Sequence, residues 1–547
     1  MTPHFRHLFP YFADQRRGVY ADSAATSHKL NAVVSATQQF LQNEYATVHR
    51  GNYSTASAAT SRFEQVRRDI SEFINAPSAH TIVFTKGATE SLNLIEAGLQ
   101  AACLQGDEIL ICGSEHHANF VPWQRLALRL GLTLSVFHLR ADGSLDQTGF
   151  IEAITQRTAL VAIAHVSNAL GNLYAVEKVC RRAAQMQAVS VIDGTQAISH
   201  LSVDVQAMGC DFYVFSGHKM YASTGTGVLY GKAEKLAQLR PYQLGGEMVS
   251  KVDDYSAEYQ PVPYRFEAGT PNVVGVIGLG QAVAFLRDNI AAIAAHENAL
   301  ARHLRRSLLE LPDVQLYGDC RVADPTVPIA SFTIHNVHAN DVALSLNQQD
   351  IAVRQGHHCA MPLMQQLGVS GTVRISLAAY NTEDDIDAIV TALRKAIVQL
   401  RAGESAHLIA KHAADTPQSL GDKITRQKSW DGVLREVILA GKSLNVLSAE
   451  HRNDSTLVSG CEADVWLARS SLTEGEAPVW QAYSGSKIVR GLLAVVLEKA
   501  NYSSIERHSP ADFHQYLVDI GLSRYLSESR RNGLNAVIAQ ICADDPR

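Results

Sequence analysis

The sequence has no long hydrophobic run, no excess of basic charge and no apolar leader segment. Its 547 residues include 48 basic and 54 acidic side chains, a formal charge of −6, which argues against a protein that binds nucleic acid through charge. No run of about 18 apolar residues suggests a membrane span. Residues 1–17 mix His, Pro, Asp and Arg, unlike a secretory signal. We therefore expect a cytoplasmic protein with no nucleic-acid or membrane partner.

Cysteine is sparse and has no paired spacing. The eight cysteines are Cys103, Cys112, Cys180, Cys210, Cys320, Cys359, Cys461 and Cys542. The absence of CxxC motifs excludes a cysteine zinc site of the usual spacing and argues against a disulfide framework. We expect reduced thiols, most of them small buried hydrophobes, and no bound metal.

The dominant pattern is an alternation of short β-prone runs with helix-like stretches between about 70 and 275. The runs are 81–84, 108–112, 133–138, 160–165, 189–193, 212–215 and 227–230. This alternation predicts an α/β fold in which a mainly parallel sheet is covered by helices and ligands gather at the strand ends. We place the large domain at about 20–275.

Three further segments follow the large domain. Residues of about 285–402 predict a smaller α+β domain, completed by the N-terminal segment and ending in a helix with Thr382 as its N-cap. Residues 403–428 lose the apolar pattern and are interpreted as a linker. Residues 429–547 predict a compact C-terminal α+β domain.

Two neighbouring buried strands end on opposite charges. The run 212–215 breaks through Ser216-Gly217-His218 to Lys219, and the run 189–192 ends at Asp193, followed by Gln196. Most lysines are solvated, but these strand ends would bring an amine and a carboxylate to the same edge of the sheet. An amine for a Schiff base and a carboxylate for a pyridine nitrogen are the minimum for holding pyridoxal 5'-phosphate.

Several other strand ends carry polar residues. Gly87-Ala88-Thr89 begins a helix whose N-terminus could bind a phosphate, although such residues are also ordinary caps. His116 and His117 follow the next strand, and a histidine there could stack on a cofactor and move protons. Spacing alone does not choose between these two, and a metal site or a surface pair are alternatives. Asn168 could bind a cofactor oxygen or a substrate carboxylate, or be a turn residue.

The smaller domain contributes Arg354-Gln355-Gly356-His357-His358-Cys359-Ala360. A cysteine in a polar, glycine-containing loop beside histidines and Arg354 could form a stabilised thiolate. The alternatives are an inert cysteine or a metal cluster. Arg374 lies in a strand and matches a substrate carboxylate, or else forms a structural ion pair.

These motifs, together with 265–272, resemble the SufS-type (group II) cysteine desulfurases in the class V aminotransferase family of fold-type I enzymes. The resemblance covers about 1–402. It implies that Lys219 forms the Schiff base, Asp193 holds the pyridine nitrogen, Gln196 binds the phenolate oxygen and His116 stacks and transfers protons. It further implies a homodimer, a phosphate site of Thr89, Ser216 and His218 with Thr270 from the other subunit, carboxylate binding by Arg374, and sulfur acceptance by Cys359.

The C-terminal segment contains Gly460-Cys461-Glu462, and by pattern alone Cys461 is as readily inert as reactive. With Trp430 and Ser529-Arg530-Arg531-Asn532-Gly533-Leu534, the segment resembles SufE/CsdE sulfur acceptors over about 424–543. It departs at Ala482-Tyr483-Ser484, where acceptors commonly have Gly-Asp-Ser, so an acidic contact is missing.

Together the two resemblances imply that L-cysteine is converted to L-alanine, with sulfur passing from Cys359 to Cys461 and then to an iron-sulfur scaffold or another sulfur-accepting protein. The alternatives are a selenocysteine lyase, a class V aminotransferase that would not need Cys359, and a non-enzymatic sulfur relay. The last of these would not need Lys219 and Asp193.

Overall fold

The structure is a computed structural model that describes residues 5–14, 18–319, 327–409, 419–427, 430–459, 463–470, 479–502, 509–523, 526 and 528–543. The chain forms two compact units. The first consists of Met1–Phe332 and Asp350–Thr391, and the second of Thr333–Gln349 and Ala392–Arg547.

The strands of the described residues are β1 (Val19–Tyr20), β2 (Ile82–Thr85), β3 (Glu108–Cys112), β4 (Thr133–Phe137), β5 (Thr158–Ala164), β6 (Val189–Asp193), β7 (Phe212–Ser216), β8 (Gly227–Gly231), β9 (Val249–Val252), β10 (Ala257–Tyr259), β11 (Val314–Tyr317), β12 (Ile329–Ile334), β13 (Ile351–Ala352), β14 (Arg354–Gly356), β15 (Thr372–Ser376), β16 (Val465–Ser470) and β17 (Val479–Ser484).

The helices are α1 (Asn31–Asn43), α2 (Ser54–Phe73), α3 (Ala88–Gly98), α4 (Val121–Leu130), α5 (Gln147–Glu152), α6 (Val176–Gln185), α7 (Val205–Met208), α8 (Ala233–Gln238), α9 (Val273–Leu309), α10 (Ala339–Asn347), α11 (Met361–Leu367), α12 (Glu383–Ile409), α13 (Leu420–Thr425), α14 (Trp430–Ala440), α15 (Lys487–Tyr502), α16 (Pro510–Asp519) and α17 (Glu528–Ala543).

The central sheet of the first unit has seven strands in the order β2-β8-β7-β6-β5-β3-β4. Strand β8 runs antiparallel to both neighbours, and the remaining pairs are parallel. Strands β5 to β8 are buried along their whole length, as expected for a sheet covered on both faces. The predicted α/β fold with a mainly parallel sheet is confirmed, and each of the seven predicted runs coincides with a strand.

A second, four-stranded sheet has the order β11-β12-β15-β14. The N-terminal segment joins this region because β1 pairs in parallel with β13. The predicted N-cap is present: Thr382 Oγ1 accepts from the Asp385 N–H at 3.3 Å, and Asp385 Oδ2 accepts from the Thr382 N–H at 3.1 Å. This reciprocal pair is a capping box, which fixes the start of α12.

Helix α9 is the most apolar long element of the first unit. Length and composition would suit a membrane span, yet half of its most apolar stretch is buried inside the protein. Its glycines allow close packing, since a Cβ at Gly280 would lie 2.6 Å from Val66 of α2. Helix α9 is therefore a core element of the first unit.

The second unit has its own hydrophobic core, formed by α10 and α13–α17 with the antiparallel pair β16 and β17. Helix α12 extends to Ile409 and α13 occupies Leu420–Thr425, so parts of the predicted linker are helical. Ile424 of α13 is buried in this core.

Candidate active site

The carboxyl ends of β5, β6 and β7 meet at one edge of the central sheet. Ala164 pairs with Asp193, and Asp193 pairs with Val214, two residues before Ser216. After Ser216 a single helical turn, Gly217–Lys219, carries the lysine over this edge. The order of the strands thus brings the predicted acid and amine to the same end of the sheet, as parallel topology requires.

A cavity of about 200 Å³ opens at this edge. Its walls contain twelve of the residues expected from sequence, namely Ala88, Thr89, His116, Asn168, Asp193, Gln196, Ser216, His218, Lys219, Arg354, Cys359 and Arg374. Seven others complete the walls: Ala24, Ala25, Ala118, Ala164, Val166, Thr195 and His358. Thr270, expected from a partner subunit, does not line the cavity, and Cys461 lies outside the described residues.

The N-terminus of α3 forms one end of the cavity. The Ala88 N–H donates to Ser216 Oγ at 2.8 Å, which ties the helix start to the end of β7. Glycine is required next to this turn because a Cβ on Gly227 would lie 2.4 Å from the backbone of Gly87. A helix N-terminus flanked by hydroxyls, with Thr89 and His218 also in the wall, suits a phosphate group.

The central pair of the cavity is Asp193 and Lys219. Burial lowers the pKa of Lys219 to about 8, and the positive charge of Arg374 acts in the same direction. Burial raises the pKa of Asp193, whereas the Thr195 N–H, donating at 2.9 Å, and the charge of Lys219 oppose this shift. A lysine with a pKa of about 8 is about half neutral at that pH, and the neutral amine is a good nucleophile for an aldehyde.

His116 is held in one tautomer beside this pair. Its Nδ1 accepts from the Ala118 N–H at 3.0 Å, so the proton of the neutral ring is on Nε2. Burial lowers the pKa of His116 to about 3, with a further contribution from Lys219. The ring is therefore uncharged at neutral pH and can stack on an aromatic ligand or donate through Nε2.

The neighbouring Glu115 was not predicted from the sequence. Its Oε1 accepts from the Ala164 N–H at 3.0 Å and its Oε2 from Asn119 Nδ2 at 2.6 Å. Burial raises the pKa of Glu115 to about 8. This carboxyl group joins the end of β5 to the turn that carries His116. The sequence gives no signal for its contact with Ala164, because the two residues are 49 positions apart.

Hydrogen bonds hold the Cys359 loop to the rest of the unit on two sides. The His117 N–H donates to the Cys359 carbonyl at 2.7 Å, and the Met361 N–H donates to His117 Nε2 at 3.1 Å. On the other side, Asn168 Nδ2 donates to the His358 carbonyl at 2.8 Å. His117 is thus a positioning residue for the loop, and His116 is the histidine that lines the cavity.

Two consecutive residues of this loop adopt left-handed backbone conformations, His358 with φ 51° and Cys359 with φ 55°. Non-glycine residues rarely do so, and such strain persists only where the surroundings enforce it. His358 is buried, its Nε2 lies 2.9 Å from Thr372 Oγ1, and its Nδ1 has no hydrogen-bond partner in the described structure. The hydrogen bonds on both sides of the loop hold this conformation and direct the cysteine to the cavity.

Arginines provide the positive charge of the cavity. Arg354 and Arg374 are paired across β14 and β15. Arg374 donates to the Asn168 carbonyl at 2.8 Å and to Asp22 Oδ1 at 2.9 Å, while its buried Nε has no partner among the described residues. The ion pair with Asp22 is the structural role that the sequence left open as an alternative for Arg374. Two arginines beside one cavity also suit a substrate carboxylate.

Gln196 has a backbone partner, since its Nε2 donates to the Ala24 carbonyl at 2.7 Å. In the described part of the chain no group of three or more His, Cys, Asp or Glu side chains is arranged to hold a metal ion.

The donor set fits pyridoxal phosphate. An amine with a lowered pKa, a buried carboxylate and a helix N-terminus face one cavity. Lys219 would hold the aldehyde carbon, Asp193 the ring nitrogen, and Ala88, Thr89, Ser216 and His218 the phosphate.

Comparisons with known proteins identify the family of this chain. The aminotransferase class-V family model matches residues 19–389, and the model for an Fe-S metabolism associated domain, SufE, matches residues 418–544. A cysteine desulfurase of Dickeya dadantii is 44% identical over 379 residues, which make up 69% of this chain and 91% of the relative. A probable cysteine desulfurase of Halalkalibacterium halodurans is 42% identical over 395 residues, 71% of this chain and 96% of the relative.

Solved structures show the same likeness. The cysteine desulfurase CsdA from Escherichia coli, in an S-sulfonic acid form, is 40% identical with a TM-score of 0.67 and covers 72% of this chain and 98% of its own. A cysteine desulfurase from Thermococcus onnurineus, solved in its apo form, is 35% identical with a TM-score of 0.68 and covers 72% and 99%. The chain therefore belongs to the class-V aminotransferase family, with relatives that are cysteine desulfurases, and it carries a SufE domain at its C-terminus.

Proposed function

We propose that this chain is a pyridoxal-phosphate-dependent cysteine desulfurase fused to its own sulfur acceptor. The observation that carries the proposal is the convergence of Lys219, Asp193, Arg374 and Cys359 on one cavity. The relatives named as cysteine desulfurases and the match to a SufE domain support it. We further propose 1–402 as the desulfurase, 403–428 as the linker and 429–547 as the acceptor domain.

The cofactor, when bound, supplies an electron-withdrawing ring that stabilises negative charge on the substrate α-carbon. Arg374 and Arg354 would bind the carboxylate of L-cysteine, and Asn168 would orient the substrate at the same wall. Lys219 would take the α-proton, since burial lowers its pKa to about 8. Asp193 would keep a proton on the ring nitrogen, and the neutral His116 would stack on the ring.

Cys359 is the sulfur acceptor in this proposal. Its thiolate attacks the substrate sulfur, a new S–S bond forms, and the C–S bond breaks with its electron pair going to the β-carbon. The β-carbon takes a proton from solvent, Lys219 returns the proton to the α-carbon, and L-alanine leaves. The Cys461 thiolate then attacks the outer sulfur of the Cys359 persulfide, and Cys359 leaves as a thiolate. A tether raises the effective concentration of the acceptor to about the millimolar range.

The sulfur carried by Cys461 would go to an iron-sulfur scaffold or another sulfur-accepting protein of the cytoplasm. The proposal also includes a homodimer in which Thr270 of one subunit reaches the phosphate of the other. This explains why Thr270 is absent from the walls of the cavity in the single chain.

Product analysis tests the proposed activity. The purified chain with L-cysteine and a thiol reductant is expected to release alanine and sulfide in equal amounts, and to turn over cysteine at least as fast as selenocysteine. Alanine without sulfide, or formation of an amino acid only when a keto acid is added, would instead identify an aminotransferase.

The pH dependence of Lys219 provides a second test. Because the pKa of the amine is about 8 rather than the ordinary 10.5, its reactive neutral form should increase about tenfold per pH unit up to about 8 and then level off. Reductive methylation of the cofactor-free chain, followed at the Lys219 peptide by mass spectrometry, measures this directly. An added lysine-containing model peptide is the control. A rate that still rises steeply above about pH 9 would refute the lowered pKa.

A further inference from the structure

Helix α10 has an unexpected position. By sequence it lies inside the segment matched by the class-V aminotransferase model, but it belongs to the second compact unit together with the SufE domain. Leu344 is buried in the hydrophobic core of that unit, alongside Val437 of α14 and Leu492 of α15. A helix of the desulfurase part therefore completes the core of the acceptor part.

The contact between α10 and α15 is centred on Asp341. Its Oδ2 accepts from the Lys487 N–H at 3.1 Å, and its Oδ1 accepts from Ser486 Oγ at 3.2 Å. Asp341 is only 5% exposed, and Ser486 is fully buried. The Asp341 carboxylate thus caps the first turn of α15, although Asp341 itself belongs to α10.

Asp341 is also in the first turn of its own helix, since α10 begins at Ala339. Two helix N-termini, each with the positive end of a helix dipole, therefore meet at one carboxylate. The charged groups that face it are His338 and Lys487, and His338 packs over Gly485, whose Cβ would lie 3.5 Å from the His338 ring. Burial raises the pKa of Asp341, while the Lys487 N–H, the charge of His338 and the Ser486 hydroxyl act in the opposite direction.

The segment that precedes α15 lacks the acid that sulfur acceptors commonly have. Tyr483 stands at that position, and its ring is covered by the Arg452 guanidinium at 3.4 Å, with Arg490 at 5.9 Å. This is a cation–π contact. The acidic group at this end of α15 comes instead from Asp341.

The same helix contributes to a small apolar cavity of about 30 Å³. Asn340 lines it together with Ala463, Val489, Leu493 and Leu534. Ala463 is two residues after Cys461 in the sequence. The first turns of α10 and α15 therefore build part of the wall of this cavity, together with Ala463.

We propose that α10 is an in-chain docking element for the SufE domain and that Asp341 is the positioning residue that fixes the domain on it. The acceptor would then be held by a specific contact as well as by its linker. This inference rests on the proposed function only where sulfur arrival at Cys461 is concerned, because the docking itself is measurable without any turnover.

The test uses the full chain with the substitutions Asp341→Ala and Asp341→Asn. The matched control is Asp350→Asn, which removes the same charge at an exposed position with a left-handed backbone, φ 56°, that asparagine tolerates. Amide hydrogen exchange of residues 486–490 is expected to accelerate about tenfold in Asp341→Ala, the effect of losing a helix cap, and less in Asp341→Asn. The control should match the wild type.

Sulfur arrival at Cys461 is then followed by mass spectrometry, alongside alanine formation with an external thiol acceptor. We expect slower arrival in Asp341→Ala with unchanged alanine formation. Unchanged exchange at 486–490, or accelerated exchange with unchanged sulfur arrival, overturns the inference. If the wild-type Cys461 never gains sulfur while exchange at 486–490 still depends on Asp341, the proposed relay fails and the docking contact remains.

Discussion

Replacing Lys219 by alanine is expected to lower desulfurase turnover by at least about a thousandfold. The substitution removes both the amine that holds the cofactor and the base that takes the substrate proton, and each role alone contributes a large factor. The visible absorbance of lysine-bound cofactor should disappear as well. The fold should be retained, because the lowered pKa of Lys219 shows that burying this amine is unfavourable.

Lys178→Ala is the matched control for this prediction, since Lys178 lies exposed on α6. It should leave both turnover and absorbance unchanged. A Lys219→Ala chain that keeps more than about a tenth of the wild-type turnover would place the covalent lysine elsewhere. Added methylamine, which can replace a missing lysine base, should restore part of the activity without restoring the absorbance.

Replacing Cys359 by serine should lower alanine formation from L-cysteine by at least about a hundredfold. Serine preserves the size of the side chain and the strained loop, but its hydroxyl does not form the anionic nucleophile that a thiol forms near neutral pH. Cofactor absorbance should stay unchanged, because Lys219 and Asp193 are intact. Alanine and sulfide are the quantities to measure.

Cys103→Ser is the control here. Cys103 is a partly buried thiol whose Sγ lies 3.7 Å from the Gln238 carbonyl, away from the cavity. It should behave as the wild type. Full activity of Cys359→Ser would show that sulfur leaves without a cysteine nucleophile, as an aminotransferase side reaction would allow.

The sequence predicted the parts of this site that lie at strand ends. Apolar runs gave the sheet, and the parallel order of β5, β6 and β7 put Asp193 and Lys219 at one edge, because the carboxyl ends of parallel strands coincide. The helix start at Ala88 and the loop at Cys359 were also predicted, since each is formed by residues that are contiguous in the sequence.

Other contributions could not be predicted because they join segments that are far apart in the sequence. The Asp22–Arg374 ion pair, the wall formed by Ala24 and the loop contact of His117 depend on tertiary packing alone. The position of α10 in the second unit is a further example. Nothing in the pattern of 339–347 distinguishes a helix that packs on its own domain from one that packs on the next.

The most direct test of the account is peptide mass spectrometry after a single addition of L-cysteine to the wild type, Cys359→Ser and Cys461→Ser. We predict an added sulfur atom on both cysteines in the wild type, on Cys359 alone in Cys461→Ser, and on neither position in Cys359→Ser. Sulfur on Cys461 in the Cys359→Ser chain would contradict the proposed route.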